Sequence, residues 1–379
     1  MIRIFDRVVL KGHHLIFIVM MLSLIRPSFL NALISLLFFL LIERKKIFTR
    51  KLSVVCWFSF LTLGLVSVIF GVFERLDLYI LHTSVLIFFV VYYGNSMSFN
   101  KIITLFDTLL FSYFLYGFIV VTASTIVLGP NFSPYIYDVN SGGIGSAVFL
   151  SNSMALGFII YTFRLILTMQ GPIKFVTHLC GLSIVFFGIM SGGRTFTIIF
   201  LLSLIPIFMK LFSANKNKPH IPIILRSVLG LCCLAILLFV LPLMLSGSRL
   251  GNEGIESQRF VVWLDVMSNY DILDLNQVDL EGQYFISAFH NVVLDSFLIY
   301  GRVALILLLP SLLLFITIAF RSLKLNSFLY LRLHIFNTFI LTFTLLMTTV
   351  VPRGDVMPIF VILAFVYFLC KLPKNELKF

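Results

Sequence analysis

The length and spacing of its apolar runs constrain this chain most. A bilayer's hydrocarbon core takes about 20 consecutive apolar residues per helix. Twelve runs suit that template, near 9–25, 28–42, 52–71, 78–93, 102–128, 146–168, 174–190, 196–212, 222–245, 298–320, 331–349 and 356–370. The expected fold class is all-α, a polytopic integral membrane protein of about 12 transmembrane helices. Composition agrees: 60% of residues are hydrophobic and 12% charged, where a soluble chain would carry about 25% charged residues. No small-residue cleavage site follows the first run, so no cleavable signal peptide is expected. Residues 1–379 read as a single transmembrane domain, with 246–289 as a large loop within it.

Charge orients the threading. With the amino terminus cytoplasmic (Arg3, Arg7, Lys11), alternate loops bring Arg44, Lys45, Lys46, Lys101, Lys174, Lys210, Arg321 and the lysines of the tail to the same side. Basic residues concentrate there, as the positive-inside rule requires, and both termini are expected in the cytoplasm. The net charge of +12 is then a topology signal, and no nucleic-acid partner is expected. The cysteines (Cys56, Cys180, Cys232, Cys233, Cys370) all fall inside apolar runs, so neither a disulfide framework nor a zinc site is expected.

Seven basic residues fall on the outer side: Arg26, Arg75, Arg194, Arg249, Arg259, Arg302 and Arg353. Every one is arginine, whose planar fork grips phosphate through two parallel hydrogen bonds while lysine offers a point charge. The plainer reading is that topology excluded lysine and tolerated arginine. An outward-facing phosphate site is the sharper one.

The outer loops hold the remaining polar chemistry. Residues 129–147, "GPNFSPYIYDVNSGGIGSA", read as turns in a flexible loop, with "GGIGS" a weak candidate for anion-binding amides. The large loop, 246–289, carries Arg249 and Arg259 among Glu253, Glu256, Asp265, Asp271, Asp274, Asp279 and Glu281. Those acids lack calcium-loop spacing, and no metal is expected. Within the loop, "SQRFVVWLDVM" has apolar residues at 260, 261, 264 and 267. That spacing suits a short amphipathic helix lying on the bilayer, with Trp263 at the interface. "MSGGRTF" (190–196) interrupts two runs, where Thr195 is expected to cap the following helix. "VPRGDV" (351–356) sets Arg353 beside Asp355, and the two have a mutual ion pair as their plain reading.

One histidine stands out. His290 and Asn291 precede an apolar run, where each polar group costs free energy unless it faces water or does a job. An outward-facing histidine titrates near neutrality and suits the removal of a hydroxyl proton, although a polar cap is the simpler role. His13, His14 and His220 sit at cytoplasmic ends, while His82, His178 and His334 lie in or near runs. No HExxH, Walker A or GxSxG motif is present. Outer arginines with one histidine suit a sugar carried on a lipid pyrophosphate, with no nucleotide or metal required.

The order "SGGRTF", "SQRFVVW", "FHNVVLDSFLIYGRVAL" resembles the O-antigen polymerase and O-antigen ligase superfamily. In that family a Ser-rich "SR" turn opens one span and an "R…W" amphipathic segment follows. "HN", nine residues and a glycine complete the pattern, here His290, Asn291 and Gly301. The likeness covers roughly 185–320. It implies a membrane glycosyltransferase of the GT-C type with a periplasmic loop of short helices, in the bacterial inner membrane. It implies an undecaprenyl-pyrophosphate-linked glycan as donor and acceptor, no cofactor, and inversion at the anomeric carbon. Arg194 and Arg259 would bind pyrophosphate and His290 would be the catalytic residue. Asn291, Arg249, Arg302 and Arg353 are accessory candidates, and a chain-length regulator is a candidate partner. Ala304, where ligases often carry Gly, Thr or Tyr, and a rather short outer loop point to the polymerase. Two alternatives stand beside it: an O-antigen ligase acting on lipid A–core, and a lipid-linked glycan flippase. A flippase should line its path with charges deep inside the spans, and Asp107 and Arg164 are the candidates for that role.

Overall fold

The computed structural model describes chiefly residues 99–132, 135–139, 142–167, 175–212, 258–279, 301–303 and 329–346, with two short strands near the amino terminus and isolated positions between. These residues are mostly helical. The chain divides into two compact units. One comprises Met1–Tyr116, Gln258–Leu325 and Thr342–Lys378, and the other Gly117–Ser257 with Asn326–Leu341 and Phe379.

The first expectation to be corrected concerns the amino terminus. β1 (Ile2–Ile4) and β2 (Val8–Leu10) form an antiparallel hairpin that pairs Ile2 with Leu10 and Ile4 with Val8. Ile2, Ile4, Val8 and Val9 are β-branched and favour strand over helix, so the run read from residue 9 opens as a strand. Most of the runs at 11–25, 28–42, 52–71, 78–93, 222–245, 298–320 and 356–370 lie outside the described residues.

Helix α1 runs from Phe99 to Leu128. Three of its hydroxyls bond within it: Thr108 donates to the Thr104 carbonyl at 2.8 Å, Ser112 to Thr108 at 3.0 Å and Thr125 to Val121 at 2.8 Å. An apolar helix can therefore carry these polar groups without exposing an unpaired donor. Its stretch Phe106–Leu128 is apolar over 23 residues, about 35 Å at helical rise and enough to cross a bilayer. Among the described residues, Val148–Ile166 is the other stretch that is long and apolar enough to do so.

Beyond α1, the second correction is a hairpin where a flexible loop was expected. β3 (Tyr135–Asp138) pairs antiparallel with β4 (Gly143–Ser146). "YIY" is strand-prone, and the Tyr137 N–H donates to Ser124 Oγ at 2.9 Å, tying the hairpin to α1. The "GIGS" segment is strand β4, paired with β3, and not a nest of free amides.

Helix α2 (Val148–Leu167) follows, then α3 (Phe175–Ser191), α4 (Arg194–Phe212) and, later, α6 (Leu329–Leu346). α2 is the buried centre of its unit: Leu150, Met154, Ile159 and Phe163 are inaccessible. Phe158 of α2 packs edge-on to Phe196 and against Phe200 of α4, at 6.0 and 5.3 Å between ring centres. α6 joins through polar contacts in an apolar setting. His334 Nε2 lies 2.8 Å from Thr162 Oγ1 and 3.2 Å from the Ile159 carbonyl. A carbonyl only accepts, so Nε2 carries the proton in this arrangement. Asn337 Nδ2 donates to the Leu202 carbonyl at 2.7 Å.

Such interhelical hydrogen bonds are worth about 0.6–1.7 kcal/mol each in apolar surroundings. Thr162→Val, which keeps the volume and removes the hydroxyl beside His334, should lower stability by about 1 kcal/mol. Thermal unfolding of the purified protein in detergent measures that loss.

Candidate functional site

The turn between α3 and α4 carries the first predicted site residue. α3 ends at Ser191, whose hydroxyl donates to the Gly188 carbonyl at 2.6 Å. Gly192 then takes φ +62°, and its N–H reaches the Ile189 carbonyl at 3.0 Å. That left-handed step reverses the chain and is cheap only for glycine. Gly193 follows, and Arg194 is the first residue of α4. The Gly193 carbonyl accepts the Thr197 N–H at 3.4 Å, which makes Gly193 the capping position.

Thr195, expected as the cap, is buried within the first turn. The side chain that caps α4 comes from α2: Ser151 Oγ accepts the Phe196 N–H at 3.2 Å. Ser151 is fully buried, and a Cβ placed on Gly193 would collide with its Oγ and Cβ. Sequence reading missed Ser151 because 45 residues separate it from Phe196, and no local pattern marks a cap supplied from another helix.

The second region is the large loop. The expected amphipathic helix is present as α5, Gln258–Asn269, with Arg259 its second residue. Its packing differs from expectation. Trp263 and Val266 are buried against Leu275, Val278, Leu294 and Phe297. Val261, Leu264 and Met267 form the exposed apolar stripe, with Leu264 67% accessible. Trp263 thus belongs to a small apolar core, while Val261, Leu264 and Met267 stay outside it. The reason is spacing: 263 and 266 lie one stripe round the helix from 261, 264 and 267, so the segment has two apolar faces. Arg259 falls at i−4 and i−7 from that buried pair, one turn ahead of it along the helix.

Two acids of the loop hold its backbone and a third holds an arginine. Asp271 Oδ1 accepts the Leu273 N–H at 3.0 Å and caps the 3-10 helix Ile272–Gln277. Asp279 Oδ1 accepts the Gly282 N–H at 2.9 Å. Asp274 receives both arms of Arg302, from Nε at 3.0 Å and from Nη2 at 2.9 Å. Arg302 sits in a second 3-10 turn, Gly301–Val303, so the run read from 298 contains this turn. Gly301 has φ +52°, and the side chain of Asn276 stands where a Cβ would need room. The hydrogen bonds from Arg302 hold the Asp274 carboxyl below its ordinary value of 3.8, assisted by the guanidinium charge and opposed by desolvation. The same carboxylate raises Arg302. As an accessory phosphate ligand, Arg302 therefore has two of its donors already engaged.

Of the other predicted residues, His290, Asn291, Arg249 and Arg353 lie outside the described residues. Arg194 and Arg259 belong to different compact units, each at the start of a helix. Among the described residues, no three His, Cys, Asp or Glu side chains come together. Comparison with family models, with curated proteins and with solved structures gives no match.

A carboxylate with a lowered pKa contributes to the fold above its unfolded value and stops contributing as pH falls through the lowered one. The Asp274–Arg302 clamp should accordingly persist below the usual carboxylate range. With Trp57→Phe leaving Trp263 as the sole indole, its emission should red-shift when acid releases the clamp. Asp274→Asn should remove that step from the titration.

Proposed function

We propose that this protein is a membrane glycosyltransferase of the O-antigen polymerase kind, with about 12 spans and a GT-C architecture. It extends undecaprenyl-pyrophosphate-linked oligosaccharides at the periplasmic face of the bacterial inner membrane. The observation that carries this reading is Arg194 at the first position of a helix. There an arginine's fork and a helix amino terminus favour the same ligand, an anion of the phosphate type. Arg259 stands likewise in the first turn of the loop helix.

In the proposed reaction the acceptor sugar's hydroxyl oxygen bonds to the anomeric carbon of the donor chain. The bond from that carbon to the pyrophosphate oxygen breaks, with inversion, and its electrons leave with undecaprenyl pyrophosphate. Arg194 and Arg259 offset the charge on that leaving group, and His290 receives the hydroxyl proton. The donor arrives already activated as a pyrophosphate ester, so the step needs no nucleotide.

The distribution of charge supports an enzyme over a flippase. Asp107 lies at the start of the apolar stretch Phe106–Leu128, and Arg164 lies in the last turn of α2. In these two helices the charges lie near the ends, which is not the pattern of a path through the midplane.

The test uses purified protein in liposomes with radiolabelled undecaprenyl-pyrophosphate repeat units and no lipid A–core. A ladder of longer lipid-linked glycans is expected. Transfer of label only after lipid A–core is added would mean a ligase, and label that changes sides without a new bond would remove the enzyme reading. His290→Ala should slow the ladder by about two to four orders of magnitude, the range of general-base catalysis. Arg259→Ala should abolish it with expression intact, and full activity in either variant contradicts that residue's role.

A further inference from the structure

We propose that Ser151 is a positioning residue for the phosphate-binding turn, supplying from α2 the amino-terminal cap of α4 and so fixing the backbone that carries Arg194. The inference rests on the reading of Arg194 as a pyrophosphate ligand.

A helix leaves its first four N–H groups without intrahelical partners. The residue at the capping position ordinarily satisfies one of them with its own side-chain oxygen, taken from the second or third N–H of the helix. Here that position is Gly193, which has no side chain to offer. Its carbonyl makes the first intrahelical bond, from Thr197, and the third N–H of the helix, that of Phe196, goes to Ser151 Oγ. The hydroxyl stands where a capping side chain on residue 193 would stand, since a Cβ there collides with Ser151. Ser151 and Gly193 are therefore complementary halves of one cap. Serine at both positions would be too crowded, and glycine at both would leave the Phe196 N–H without this acceptor in a buried setting.

The source of the cap matters for function. A side chain within the turn would move with the turn. Ser151 is rooted in α2, whose Phe158 also packs on Phe196 and Phe200 of α4. Two contacts from one buried helix, one polar and one aromatic, thus fix the first turn of α4. A rigid turn spares the ligand the entropy of ordering it, which raises affinity without adding a contact to the ligand.

The experiment titrates undecaprenyl pyrophosphate onto the full-length protein in nanodiscs, using wild type, Ser151→Ala, Arg194→Ala and the double variant. Ser151→Ala should raise Kd by about threefold to tenfold, the equilibrium equivalent of one ordinary hydrogen bond. Arg194→Ala should raise it further, and the double variant should bind no more weakly than Arg194→Ala alone. That non-additivity separates a residue acting through Arg194 from one that merely stabilises the bundle. Ser151→Cys keeps the volume with a weaker acceptor and should show the same loss, which secures the test if the alanine variant folds poorly. Unchanged affinity in both Ser151 variants, or additive losses in the double variant, would overturn the inference while Arg194 keeps its role. Unchanged affinity in Arg194→Ala would instead overturn the pyrophosphate reading, and this inference with it.

Discussion

The amino terminus of α4 depends on a hydroxyl borrowed from α2, and much of the surrounding unit can be read from that single hydrogen bond. Apolar surroundings make any unpaired N–H expensive, so a helix starting beside a buried neighbour must find its acceptors within the protein. Ser151 is one such acceptor for α4. Bringing it within reach requires a glycine at 193 and a left-handed glycine at 192, and these together set where α3 ends and Arg194 begins. The aromatic contacts of Phe158 hold the same two helices along their length. Further along the bundle, α6 is added through His334 and Asn337, each bonded to a neighbouring helix.

The large loop solves a different problem. It is polar and rich in acids, and it holds its shape with a few apolar side chains and a clamp. Trp263, Val266, Leu275 and Leu294 supply the burial, while Asp274 and Arg302 join the two 3-10 turns on the exposed side. An exposed ion pair contributes little by itself. Its doubled, fork-like geometry fixes orientation more than it adds energy.

The helices were legible to differing degrees. Runs at 102–128, 146–168, 174–190, 196–212 and 331–349 correspond to helices within about three residues at either end, because a long uncharged stretch leaves the backbone few alternatives. The two hairpins were missed. Their strands are three or four residues long, and the glycines of 142–145 look like loop until Tyr137 is seen bonded to Ser124. The loop helix was found with Val261, Leu264 and Met267 on its outer stripe, but the burial of Trp263 was not, since periodicity alone does not show which partners a second apolar stripe will meet. Arg194 and Arg259 were singled out by motif, and the fold places each in the first turn of a helix. Ser151 carries no motif, and only the fold brings it to Phe196.

The proposed reaction requires one pyrophosphate to be bound by Arg194 and Arg259 while His290 receives the proton of the acceptor hydroxyl. The most direct test is an experimental structure of the protein in nanodiscs with undecaprenyl pyrophosphate bound. Under the proposed reaction, phosphate density is expected within hydrogen-bonding reach of both guanidinium groups, at the first turns of α4 and α5, with His290 facing the same space. Phosphate density elsewhere, or either arginine paired with a loop carboxylate while the ligand is bound, would contradict it.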